Sequence, residues 1–363
     1  MAKLSTPRGA QAGYLRWLLV GNPFAHLSSE GLDEVSSYHV PTEVDRKLLE
    51  IVERALHEGV QEIVVLVGEF GSGKTQRLRY VAERIDYADR IYVKIDSDDW
   101  VDVAKSILSA IRSSLLDKLL IRKIDEATLS DPLLVAKQVA AALNARDKVI
   151  LMLDEIENVL MGTKKDAVAF AKFLKALYER LDGGKVILTA CVPKAINVIG
   201  SVLNSLGARI LRVGPITPRE ASEIIRRRMS KYRIEGVRSP NPYYPLTERI
   251  ILKIAEKARY NPREMIRIAR TVLSHVTVGE GGQIAIDEKR MLGLLGERKE
   301  QGKESSVPKQ LIELYKSSGP FTLREASRAL GKGIVETLSI IRSLERAGLV
   351  ERNSSGRYVL TGC

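Results

Sequence analysis

The run Gly68-Glu69-Phe70-Gly71-Ser72-Gly73-Lys74-Thr75 puts three glycines, a lysine and two hydroxyls into eight residues. Without Cβ atoms, glycines let successive backbone N–H groups converge on one anion. A lysine then adds a point charge, and a threonine hydroxyl can ligate Mg²⁺. Such a run has chemical meaning only between a strand and a helix. Here the apolar Ile63–Val67 precedes it and helical spacing from Gln76 to Ile85 follows. The segment reads as a phosphate-binding loop for ATP, with Gly68, Gly71, Ser72, Gly73, Lys74, Thr75 and Gln76 around the phosphates and Thr75 on the metal.

A second group lies about 80 residues on, where Val149-Ile150-Leu151-Met152-Leu153 ends in Asp154-Glu155. Carboxylates at the carboxyl end of a parallel strand reach the sheet edge where ligands bind. Asp154 is placed to hold Mg²⁺, and Glu155 to polarise an attacking water as a general base. An acidic pair at a helix start also satisfies the helix dipole, so the pair gains its catalytic meaning from the glycine run upstream.

The elements that must position these groups follow from periodicity. Five short β-rich runs, Ile63–Val67, Ile91–Ile95, Val149–Leu153, Val186–Ala190 and Ile210–Val213, alternate with helical patterns, which implies an α/β core with a parallel sheet. Between the second and third runs, helices are expected near Trp100–Leu120 and Leu133–Asn144. After Pro215 the β runs stop, and Arg219–Tyr232, Leu246–Arg259 and Pro262–Val276 read as helices, the last started by Asn261-Pro262. Glu297–Ser306 reads as a linker. The expected organisation is a leader and helix over 1–60, an ATPase core over 61–215, a helical lid over 216–300, and a linker with a terminal domain over 301–363.

Composition narrows the class. The chain has 363 residues, 45% of them hydrophobic, and no apolar run near the 18–20 residues of a membrane span. Cys191 and Cys363 are the only cysteines, which excludes a disulfide framework and a multi-cysteine zinc site. A cytoplasmic location is expected. The net charge of +12 is localised: residues 219–270 carry 14 basic and 6 acidic side chains, and residues 301–363 carry 10 and 6. Localised excess of this kind fits a polyanionic partner, most often nucleic acid.

The glycine loop, the strand ending in Asp-Glu, the further strand ending in a polar residue and the helical domain with an arginine at a helix start together resemble the AAA+ ATPases. That resemblance implies five parallel strands in the order 5-1-4-3-2, a helical lid and Mg²⁺-dependent, slow ATP hydrolysis. It makes Thr189 the polar sensor of the γ-phosphate, with Cys191 competing, and Arg263 the lid arginine that reaches back to the nucleotide. It also implies a homo-oligomer or another AAA+ subunit, with Arg209 as the arginine offered in trans and Arg180 as the alternative.

Residues 307–363 follow a helix, short helix, longer helix, hairpin order. Thr322 and Glu325 form a capping box, and apolar residues recur at Ile334, Leu338, Ile341, Leu344 and Ala347. This resembles a winged helix-turn-helix domain, which implies contact with double-stranded DNA through Lys332 and Thr337 on the third helix and Arg352 and Arg357 on the wing. The whole layout resembles archaeal and eukaryotic origin-recognition initiators. The expected function is an ATP-dependent, DNA-binding switch. The alternatives are a transposition- or secretion-type (ExeA-like) regulator acting on a protein partner, and a STAND-like signalling ATPase whose winged helix is autoinhibitory.

Overall fold

Five strands place the two chemical motifs at one sheet edge: β1 (Glu62–Gly68), β2 (Asp89–Lys94), β3 (Val149–Asp154), β4 (Lys185–Cys191) and β5 (Arg209–Val213). All pairings are parallel and the order is β2-β3-β4-β1-β5, which is 5-1-4-3-2 read from the other side. The register sets Val67 opposite Cys191, Gly68 opposite Val213 and Lys94 opposite Asp154, so the carboxyl ends of all five strands lie along one edge. The computed structural model describes residues 12–15, 17–25, 35–111, 126–237, 239–275, 295, 309–346, 349–353 and 356–360. The distal part of the expected 100–120 helix, the 297–306 linker and hairpin residues 354–355 lie outside them.

Helices α1 (Glu43–Glu58) and α2 (Lys74–Arg84) cover one face of the sheet, where Leu48, Val52, Leu66, Leu78, Ile150 and Val186 are buried together. Helices α3 (Trp100–Ile111), α4 (Pro132–Asn144), α5 (Lys164–Tyr178) and α6 (Pro193–Ser205) cover the other, around Val65, Leu151, Ile187, Phe170 and Phe173. Coverage on both faces explains why the central strands read as continuous apolar runs. β5 is one of the two edge strands, mostly exposed, and it carries Arg209 and Arg212, charges that discourage further strand pairing.

The chain divides into two compact units, Met1–Leu292 and Gly293–Cys363. Within the first, α7 (Pro218–Lys231), α8 (Glu248–Lys257) and α9 (Pro262–Ser274) form the helical lid. Local signals set their starts. Thr217 and Glu220 make a capping box with Pro218 in the first turn, and Asn261 accepts from the Glu264 N–H ahead of α9. The leader is tied to this lid: Val20 N–H donates to the Tyr232 carbonyl (2.8 Å) and Ile234 N–H to that of Leu18 (3.1 Å).

The second unit has helices α10 (Lys309–Ser318), α11 (Leu323–Leu330) and α12 (Ile334–Arg346), followed by the antiparallel pair β6 (Val350–Arg352) and β7 (Tyr358–Leu360). Phe321 bridges to Tyr358, and Leu311, Ala326, Ile341, Leu344 and Leu360 complete its core. The Thr322/Glu325 capping box is present. The inward face of α12, however, differs from the expectation. Ile334 is 50% exposed, whereas Thr337 is fully buried and continues the i, i+4, i+7 series into Ile341 and Leu344. Thr337 therefore faces the core of its own domain and is removed from the DNA-contact candidates. Among the described residues no helix is long and apolar enough to cross a membrane.

Candidate functional site

The glycine loop keeps its shape because all six of its carbonyls from Gly68 to Gly73 are engaged. The Lys74 ammonium donates to Gly68 O (2.7 Å) and Glu69 O (3.2 Å), and the Ser72 N–H also donates to Glu69 O (3.1 Å). Asn261 Nδ2 donates to Phe70 O (2.8 Å), and Arg263 N–H donates to Gly71 O (3.3 Å). Arg77 Nη1 donates to Ser72 O (3.1 Å) and Gly73 O (3.3 Å). In a trans peptide the C=O and the following N–H point in opposite directions. With its carbonyls held by these partners, the loop is fixed beside the cavity that Gly71, Gly73, Lys74 and Thr75 border, and N–H groups of such a loop that are not used within it are the donors that bind phosphate. Gly71 and Gly73 adopt φ values of +81° and +91°, and a Cβ on Gly71 would lie 2.8 Å from both Arg263 Cβ and Asn261 Oδ1.

The cavity holds about 640 Å³ open to solvent and is bordered by Gly71, Gly73, Lys74, Thr75 and Gln76 of the loop, Asp154, Glu155 and Glu157 after β3, and Arg228, Pro262 and Arg263 of the lid. Its electrostatics are polarised. Burial pushes the Lys74 ammonium pKa down, while Glu157 and Asp154 pull it back up. Asp154 is almost fully buried, with Oδ1 accepting from the Glu155 N–H (2.9 Å) and Oδ2 from the Tyr92 hydroxyl (2.8 Å). Burial and this carboxylate both raise the Tyr92 pKa.

Glu155 has φ +56°, unusual for a non-glycine residue, and its carboxylate lies 3.9 Å from Lys94 Nζ at the end of β2. Glu157 was not singled out in the sequence, although it stands three residues after Asp154. Burial raises its pKa, and its Oε2 is buried with no hydrogen bond. Ser72 Oγ is likewise buried and without a hydrogen bond. A buried ammonium, three carboxylates, one of them with an orphaned oxygen, and the Thr75 hydroxyl fit a Mg²⁺-bound polyphosphate. Thr75 and Asp154 would hold the metal, and the loop N–H groups and Lys74 the phosphates.

Other expected residues fall outside this cavity. Gly68 and Ser72 do not border it, and Gly68 instead packs against Val213, where a Cβ would meet the strand at 2.7 Å. Thr189 is fully buried and does not border the cavity, and its Oγ1 is without a hydrogen bond. Cys191, two residues on, is closer in charge terms: burial pushes its thiol up to about 12, with Glu157 and Lys74 acting on it in opposite directions. Arg209 begins β5 opposite Val64, four residues from the loop end of that strand, so it is roughly 13 Å from its own site; its Nε donates to Glu62 Oε2 (2.9 Å). Arg180 is exposed and donates to the Ala176 carbonyl (2.8 Å). In the second unit Lys332, Arg352 and Arg357 are exposed. Arg352 Nε donates to Gly356 O (3.0 Å), and Arg357 Nη1 to Pro320 O (3.0 Å).

Two arginines were invisible to sequence reasoning because only tertiary structure defines them. Arg228 of the lid borders the cavity, donates to the Pro23 carbonyl (3.3 Å), and has its pKa pulled down to about 10 by burial. Arg77 buttresses the loop from behind, with its Nε 3.4 Å from Asp45 Oδ1, which also lies 3.0 Å from His39 Nε2.

Loop, sheet order and acidic strand end define an AAA+ P-loop core. Residues 57–195 match the family described as AAA domain. The chain is similar in fold to ORC1 of Aeropyrum pernix solved in complex with DNA, with TM-score 0.56 and 18% identity over 95% of this chain and 92% of that one. It is also similar to ORC2 of the same organism in ADPNP-ADP complexes, with TM-score 0.50 and 13% identity over 90% and 93%. Cdc6p from Pyrobaculum aerophilum follows at TM-score 0.49 and 18% identity over 91% and 94%. No curated protein matches the chain. In fold, the chain resembles archaeal origin-recognition ATPases.

The Asp45 cluster has a measurable pH signature. Burial pushes the Asp45 carboxyl up, but His39 and Arg77 outweigh it and hold the pKa below the ordinary range. Stability from this charge is therefore present at neutral pH and is lost as pH falls below about 4. Asp45→Asn is expected to unfold at lower urea at pH 7, by about 3 kcal/mol, with the gap to the parent narrowing as pH falls below about 4. A gap unchanged from pH 7 to pH 3 contradicts this role for the charge.

Proposed function

We propose that the chain is a Mg²⁺-dependent, slow ATPase that uses the nucleotide to switch its hold on double-stranded DNA, in a role of the origin-recognition type. The observation that carries the ATPase reading is the convergence on one cavity of Lys74 and Thr75, the acidic end of β3, and Arg263 of the lid. Mg²⁺, when bound, offsets the charge of the phosphates. Lys74 contacts the phosphoryl oxygens, Glu155 takes the proton of the attacking water, and Arg263 places its planar fork on the terminal phosphate. Arg209, remote from its own loop, is then the arginine presented to a neighbouring subunit.

The DNA half of the reading is supported by the excess of basic residues in 301–363, by the helix–hairpin order of the second unit, read as a winged helix, and by the fold likeness to a protein solved with DNA. Lys332 at the start of α12 and Arg352 and Arg357 on the hairpin are the contacts proposed.

Lys74→Ala is expected to abolish Mg-ATP binding. Glu155→Gln is expected to keep binding while losing at least a hundredfold in turnover, measured by single-turnover phosphate release. Normal turnover by Glu155→Gln would refute the role of Glu155. For DNA, Lys332→Ala and Arg357→Ala are each expected to reduce the slope of log affinity against log salt by about one. Duplex binding with an unaltered slope in both variants, or no duplex binding by the parent, contradicts this interface.

A further inference from the structure

Phe70 occupies a variable position of the glycine loop and is 59% exposed, an apolar ring that the loop itself does not need. The Arg263 guanidinium carbon sits 4.3 Å from the centre of this ring. Arg263 has no side-chain hydrogen bond or ion pair among the described residues, so the ring is the partner that the structure records for the guanidinium. Both side chains border the phosphate cavity. The approach is fixed by two further contacts between the same segments: Asn261 Nδ2 donates to Phe70 O, and Arg263 N–H donates to Gly71 O. Asn261 is itself held by an unusual turn, since the preceding Arg259 and Tyr260 both have positive φ, and Tyr260 O accepts from Ile216 N–H (3.1 Å) at the start of the lid.

The geometry points to Phe70 as the positioning residue for Arg263: the ring is a platform that holds the lid guanidinium at the mouth of the cavity, oriented for the terminal phosphate. A guanidinium above an aromatic face gains cation–π attraction through its own face, and its five N–H donors lie in the guanidinium plane, at the edge, where they remain available to an anion. Stacking and phosphate binding therefore use different parts of the same group. The platform removes rotamer freedom that Arg263 would otherwise lose on meeting the nucleotide, so it adds affinity only for ligands that reach the arginine. This inference rests on the reading of Arg263 as the lid residue that contacts the terminal phosphate.

The test titrates the full chain with Mg²⁺ and either ADP or the β,γ-imido analogue of ATP, for the parent, Phe70→Ala, Phe70→Tyr, Arg263→Ala and the Phe70→Ala/Arg263→Ala pair. Phe70→Ala is expected to lose about fivefold in affinity for the analogue, about 1 kcal/mol, with ADP affinity unchanged, and Phe70→Tyr is expected to retain the parent's values. In the Arg263→Ala background, Phe70→Ala is expected to have no further effect. A merely structural role in the loop would weaken both nucleotides equally and would persist in that background. Arg263→Ala with an analogue-specific defect but a normal Phe70→Ala would overturn the platform alone. Arg263→Ala with parental affinity for both ligands would overturn the reading of the arginine and the platform with it. A gain in analogue affinity in Phe70→Ala would mean that the ring holds the arginine away from the phosphate, and would also overturn it.

Discussion

A glycine loop has almost no side chains with which to hold itself, so its shape depends on what its carbonyls bond to. Here those partners come from three directions: Lys74 from within, Arg77 from the helix behind, and Asn261 and Arg263 from the lid in front. The rest of the site follows from that constraint. Arg77 is buried and can stay charged because Asp45 lies against it, and Asp45 in turn is held by His39 and Thr42. The leader joins the same system through Arg228, which borders the cavity and donates to Pro23. Core, lid and leader thus meet around one set of six carbonyls.

The charges inside this frame are balanced for an incoming anion with its cation. Three carboxylates and one ammonium surround the cavity without a nucleotide, a set that leaves Glu157 uncomfortable and Lys74 tied to its own loop. A Mg²⁺-bound triphosphate brings cation and anion together, offering the carboxylates a metal and the ammonium a phosphate. The lid arginine belongs to the same balance, because Arg263 borders the same cavity.

What could be read from the sequence was what is local in the chain. The loop, the acidic end of β3, the Asn261-Pro262 helix start and the Thr322/Glu325 box depend on residues within a few positions of each other, and all are present. Arg77 with Asp45, and Phe70 with Arg263, are pairs made by the fold across 32 and 193 positions, and no periodicity connects them. An apolar series counted from Ile334 leaves Thr337 on the surface, whereas in the structure Ile334 is exposed and Thr337 is buried in line with Ile341 and Leu344.

Beyond the two hydrogen bonds that already join loop and lid, the proposed function has the nucleotide tie Arg263 to the loop, and amide hydrogen exchange over 68–75 and 259–267 tests this most directly. With Mg²⁺ and the β,γ-imido analogue of ATP, both segments should be protected together, and with ADP the loop should be protected more than the lid segment. Protection confined to the loop with either nucleotide, or equal protection of the lid segment by both, would contradict the account.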